Sequence, residues 1–182
     1  MKRVTIVLLA LALASCSANE ASVQPVEQLR FEKVSSNEIE HGKRVATLLG
    51  CNGCHSADFT GKDWSDTELG VLWTANLTRS AEQHSDDELL GMITTGRRHD
   101  RAMSEMPSHL FTHVHEDDLR AVLAYLRSLP ASGEIHPQPT IGPKLAELKA
   151  AGEYLDSAQR VAKEGEAWPP DLGPQQIGRA HV

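Results

Sequence analysis

Cys51-Asn52-Gly53-Cys54-His55 is the stretch that decides how this chain is built. It has the C-x-x-C-H spacing of covalent c-type haem attachment. Two thiols three positions apart can add to the two vinyl groups on one edge of a porphyrin. The histidine that follows is then carried under the iron as the proximal ligand. C-x-x-C alone would also serve thiol redox or zinc. A thioredoxin-like site wants a strand before the motif, whereas residues 42–49 read as helix. A zinc site wants a second ligand pair, and the third and last cysteine, Cys16, lies in a leader segment. Cys51 and Cys54 are therefore expected to hold one haem c, with His55 as iron ligand.

Upstream, Ser35 and Glu38 make a capping-box pattern. A helix is expected through Ile39, Val45, Leu48 and Leu49, stopping at Gly50. Gly42 sits inside it, where glycine costs about 1 kcal/mol against alanine. Downstream, residues 56–78 show no sustained period and read as loop. Trp64 and Trp73 stand out there, and Asn76 is expected to fix the loop by local hydrogen bonds. Residues 85–96 read as a helix, opened by a second capping box, Ser85 with Glu88, and closed by Gly96. Its face of Leu89, Met92 and Ile93 makes Met92 a core residue. Residues 97–115 form a distal loop with Met103, Met106, Pro107, Phe111 and four histidines, His99, His109, His113 and His115. The iron needs a second ligand from this loop. Pro107 biases Met106 to an extended, stiffened backbone, which favours Met106. Met103 or a loop histidine are the alternatives, and the histidines could instead bind copper or zinc. Residues 116–129 are the clearest helix. Leu119, Val122, Leu123 and Leu126 share one face, acids fill the first turn, Arg127 the last, and Pro130 stops it.

Several of these stretches resemble class I c-type cytochromes. They are Gly42-Lys43-Arg44-Val45-Ala46, the haem motif, Asn76-Leu77-Thr78, Ser85-Asp86-Asp87-Glu88-Leu89, Thr95-Gly96, Met106-Pro107, Glu116-Asp117-Asp118-Leu119 and Ala124-Tyr125-Leu126-Arg127-Ser128-Leu129-Pro130. More closely, they are similar to the cytochrome c subunits of bacterial membrane-bound alcohol, aldehyde and gluconate dehydrogenases, over about half of the chain. The resemblance implies an all-α, class I cytochrome c fold around one covalently attached haem, at residues 36–130. It implies His55 and Met106 as axial ligands, and Trp73, Asn76 and Phe111 in the haem environment. Trp73 would pack on the haem edge or donate to a propionate. Gly42 would let the first and last helices cross, with Tyr125 and Leu126 meeting Gly42 and Val45. Relatives often carry an arginine two residues before the glycine matching Gly96; here it is Thr94, so Arg97, Arg98 or Arg101 would have to substitute. The implied function is single-electron transfer by a carrier that is not itself an enzyme. The alternative is a haem enzyme or gas-binding protein with a displaceable sixth ligand.

The chain begins with a basic Met1-Lys2-Arg3 and an almost wholly apolar run over residues 4–14. As helix that run rises about 16 Å, short of the roughly 30 Å of a bilayer core, so it reads as a secretory leader. Leu13-Ala14-Ser15-Cys16 resembles a bacterial lipobox, which implies a signal peptide over 1–15 and lipid on Cys16. Residues 16–35 read as a membrane tether. The expected location is the periplasmic side of a membrane, with Ser17 leaning towards the outer one. Residues 131–176 read as a linker leading towards a second domain, with weak helices over 144–151 and 155–163. The final Ile177-Gly178-Arg179-Ala180-His181-Val182 resembles a translated sequencing adapter and is read as a non-native tail. Net charge is −7, and −9 once Lys2 and Arg3 leave with the leader. That excludes a nucleic-acid binder, which needs a basic face, and suits basic redox partners such as a dehydrogenase subunit. With three Trp, two Tyr and three Phe, a domain of this size has a thin core, which a buried porphyrin would fill.

Overall fold

The computed structural model describes residues 28–165. The leader, Cys16, the first part of the tether, residues 166–176 and the adapter-like tail lie outside the described residues. Helix α1 spans Glu38–Leu48. Its cap is Asn37, not Ser35. The Asn37 backbone is extended, and its side-chain oxygen accepts from Ile39 N at 2.9 Å and Glu40 N at 3.3 Å. Ser35 instead accepts from Asn37 N and donates to Glu40. Gly50, left-handed at φ 74°, ends this helix and opens the single turn α2, Cys51–Cys54.

A two-residue strand β1, Gly70–Val71, lies in the stretch read as loop, and α3, Leu77–Gln83, begins in its last two residues. Asn76 caps α3 by accepting from Arg79 N at 3.1 Å. Helix α4, Asp86–Thr95, has the full Ser85–Glu88 capping box and ends at Gly96, left-handed at φ 68°. The distal loop contains a short turn of helix, α5, Ser108–Phe111. Helix α6, Glu116–Ser128, is capped by His115, whose Nδ1 accepts from Asp117 N at 3.1 Å.

The core forms where α1 crosses α6. Val45 and Ala46 are fully buried against Val122, Leu123 and Leu126, with Phe59, Ala81 and Leu89 joining from the loop, α3 and α4. Each fully buried aliphatic side chain of the Leu or Val type contributes about 1.5–3 kcal/mol. Gly42 makes the crossing possible: a β-carbon there would overlap the Ala121 carbonyl and lie 3.1 Å from Tyr125 Cβ. Beside it, His41 Nε2 meets Asp118 Oδ1 at 2.7 Å, both side chains almost fully buried. Asp118 Oδ2 accepts from Phe31 N at 2.9 Å. Asp118 reads in the sequence as one more acid suiting a helix dipole, but it ties three segments together. The same contacts fasten residues 29–31, expected as tether, to the domain: Leu29 bridges Val114, and His115 N donates to Leu29 O at 2.9 Å.

Residues 131–165, expected as a linker with two weak helices, form those helices and fold back on the domain. Strand β2, Thr140–Ile141, pairs antiparallel with β1. Helix α7, Pro143–Ala150, buries Leu145. Helix α8, Ser157–Glu164, packs on α5 and α4. The fold is mainly helical, with one two-stranded ribbon among the described residues.

Candidate functional site

The α2 turn places Cys51 and Cys54 on one face, as i, i+3 positions must be. Cys51 is half-buried and Cys54 exposed, and they form no disulfide with each other. Burial pushes the Cys51 thiol up to about 11, with Cys54 adding to the shift and its own backbone N–H opposing it. His55 follows directly and is 8 % exposed. Its Nδ1 donates to Ala75 O at 2.8 Å, which leaves Nε2 as the lone-pair nitrogen. Burial holds the His55 pKa below its ordinary value, the Ala75 carbonyl opposing, so the ring is neutral at pH 7, the form that binds a metal.

The loop after His55 is pinned rather than slack. Asp58 Oδ1 accepts from Ser56 Oγ at 2.6 Å, Thr60 Oγ1 at 2.8 Å and Thr60 N at 3.2 Å. These bonds hold Ser56 and Phe59 in left-handed backbone, φ 63° and 61°, a conformation that side chains resist. Thr74 Oγ1 donates to Cys54 O at 2.9 Å.

Cys54 and His55 line a cleft of about 560 Å³, inside the roughly 300–1,000 Å³ of cofactor sites. Met103, Met106 and Pro107 of the distal loop line the same cleft, as do Trp73 and Asn76. An imidazole with a fixed tautomer, two thioethers and the Cys54 thiol share one largely apolar space, with Cys51 one turn away on α2. That donor set fits a covalently held haem. Trp73 is stacked on His136, ring centroids 4.1 Å apart and 24° between planes. Asn76 has a larger part than a loop residue: besides capping α3, its amide donates to Ser132 O at 2.7 Å and Glu134 O at 3.0 Å. Phe111 is not brought to the cleft. Its ring is 6 % exposed and sits with Val114 and Leu119 in a second apolar cluster, against which Met106 packs. It supports the distal loop from behind. Met92 packs against the main core, as its helical spacing implies.

Arg98 and Arg101 reach the cleft, and so does Arg79 of α3, which nothing in the sequence singled out. Arg97, the third candidate, does not line it. Thr94 spends its hydroxyl on Leu90 O of its own helix. None of the loop histidines lines the cleft. His115 caps α6, and His109 lies 3.6 Å from Glu164. Among the described residues no three His, Cys, Asp or Glu side chains gather as a metal ion would require.

The largest omission from the sequence reading is the wall made by residues 135–139. His136 donates from Nε2 to Thr60 O at 2.6 Å and lies where any β-carbon on Gly61 would strike it, at 2.6 Å. Pro137 and Pro139 read as linker punctuation. Ile135 and His136 between flexible-looking residues are the only local hint of a lining segment.

A family model for cytochrome c matches residues 39–130, from the first turn of α1 to the proline after α6. No curated protein matches the chain.

Proposed function

The chain belongs to the cytochrome c family, and we propose that it carries single electrons between a periplasmic dehydrogenase and a respiratory acceptor while lipid on Cys16 holds it to a membrane. Covalent haem c and electron transfer by a haem protein come with the family. The proposal adds the ligand set, the anchor and the partners.

The observation that carries the ligand set is the cleft shared by His55, Met103 and Met106 beside the α2 thiols. The haem supplies an iron that changes valence by one electron. Cys51 and Cys54 would hold it, and His55 would offer it Nε2, the nitrogen left free by the Nδ1 bond to Ala75 O. Met106 is favoured over Met103 as the second ligand because Pro107 stiffens it and Ser108 N donates to its carbonyl at 2.8 Å, closing a tight turn. Two protein ligands leave no position for substrate, which suits a carrier. A His/Met pair also raises the potential. The cleft is lined mainly by apolar surface, and Arg79, Arg98 and Arg101 reach it. The anchor rests on Leu13-Ala14-Ser15-Cys16 after an apolar leader. The acidic balance of the chain supports a basic partner surface.

Met106→Ala tests the ligand set. Covalent haem is retained, since Cys51 and Cys54 are untouched. The spectral features of methionine ligation disappear, the potential falls and the reduced iron binds carbon monoxide. If Met106→Ala keeps the parent spectrum while Met103→Ala loses it, the loop runs in another register.

A further inference from the structure

Residues beyond 130 lie outside the family match, yet they close on the distal loop. The backbone of that loop is held on one side by the domain itself: Met103 N donates to Gly96 O at 2.9 Å, and Arg97 bridges Ala102. On the other side it is held by the C-terminal segment. Ser157 N donates to Met103 O at 2.9 Å, and the Tyr154 hydroxyl donates to Ser104 O at 2.6 Å. The two bonds land three and two residues before Met106.

The segment is built to stay in place. Asp156 and Gln159 form a capping box at the start of α8, with bonds of 2.9 and 3.0 Å. Ser157, the first residue of the helix, is fully buried. Its N–H is one of the donors a helix start cannot satisfy internally, and the loop carbonyl takes it. Gly96 lets the helix approach: a β-carbon there would lie 2.6 Å from Ser157 C and 2.8 Å from Ala158 N. Burial pushes the Tyr154 phenol up to about 12, nearby Glu105 adding to it, so the hydroxyl remains a donor at any physiological pH.

We infer that Tyr154 and α8 are a brace for the axial ligand: by fixing the Met103 and Ser104 carbonyls they position the Met106 thioether at the haem iron. This rests on Met106 being the second ligand. Tyr154 and Ser157 touch neither iron nor haem in this account, so they are positioning residues. Loss of one such bond raises the population of the opened loop about fivefold, as loss of a hydrogen bond of ordinary net strength does.

The test uses the full haem-loaded protein. Tyr154→Phe removes the hydroxyl and keeps the ring. Ser157→Pro removes the N–H at the first helical position, where proline is tolerated, after an Asp156 already extended at ψ 168° as a residue before proline must be. Both variants keep covalent haem on a denaturing gel. Carbon monoxide binds the reduced form of each about fivefold faster than the parent, and the methionine spectral features are lost at lower urea while helical circular dichroism persists. A role in general stability alone would move both transitions together. If the parent shows the methionine signature and both variants match it in carbon monoxide rate and urea response, the brace is overturned alone. If the parent lacks the signature, the Met106 assignment falls and the brace with it.

Discussion

Replacing Gly42 by alanine tests the helix crossing on which the site is built. In α1 the substitution favours helix by about 1 kcal/mol. The new methyl, however, would overlap the Ala121 carbonyl and press on Tyr125 Cβ. The obstacle is backbone of α6, which no rotamer change relieves, so the cost belongs at the upper end of overpacking, about 3 kcal/mol. The net expectation is a loss of about 2 kcal/mol, a drop in Tm of roughly 6–10 °C for a domain of this size. Gly91 supplies the control. It too lies inside a helix, α4, but nothing stands within 4 Å of a β-carbon there, so Gly91→Ala should gain up to about 1 kcal/mol. Thermal melts of the parent and the two variants, each checked for full haem content, give the comparison. If Gly42→Ala matches Gly91→Ala in stability, α1 and α6 do not cross at that glycine, and the packing described for the core is wrong.

Asp58 gives a pH-dependent expectation. Hydrogen bonds from Ser56 and then Thr60 lower its carboxyl to about 2, from 3.8, so its contribution is present above about pH 4 and is lost as pH falls towards 2. Asp58→Ala should therefore melt lower than the parent at pH 6, and the gap should close over that acid range; a gap unchanged down to pH 2 contradicts this. Cys16→Ala, expressed in a host that processes lipoproteins, should move the protein from the membrane to the soluble fraction. Equal membrane retention of variant and parent removes the lipid anchor from the account.

The parts of the fold legible in the sequence are those whose signals are local. The α2 turn is written in five consecutive residues, α4 in its capping box and closing Gly96, and α6 in the spacing of Leu119, Val122, Leu123 and Leu126. Gly42 at the helix crossing was legible only through the family resemblance. Helix α3 was missed because its buried positions are Thr78 and Ala81, which give no apolar period. The cap of α1 was misplaced by two residues because Ser35 and Asn37 both carry capping side chains, and only the backbone geometry chooses between them. Asp118 could not be told from Glu116 and Asp117, since its burial depends on His41, far away in the chain. Tertiary contact alone also explains residues 135–139 and Tyr154: a proline-rich stretch looks like a linker until Asn76, Thr60 and β1 are seen to fasten it. At the site, His55 and its thiols were readable from spacing, whereas the His136 stack on Trp73 and the arrival of Arg79 were not.

The central claim is a single covalent haem held by two protein ligands and used only to carry electrons. Its most direct test is the visible spectrum of the purified protein, oxidised, reduced, and reduced under carbon monoxide at neutral pH, with haem quantified per chain. The account predicts one haem that survives a denaturing gel, reversible reduction by one electron, and a reduced spectrum that carbon monoxide changes only slowly. A protein without covalent haem, or one whose reduced spectrum shifts at once under carbon monoxide, contradicts it.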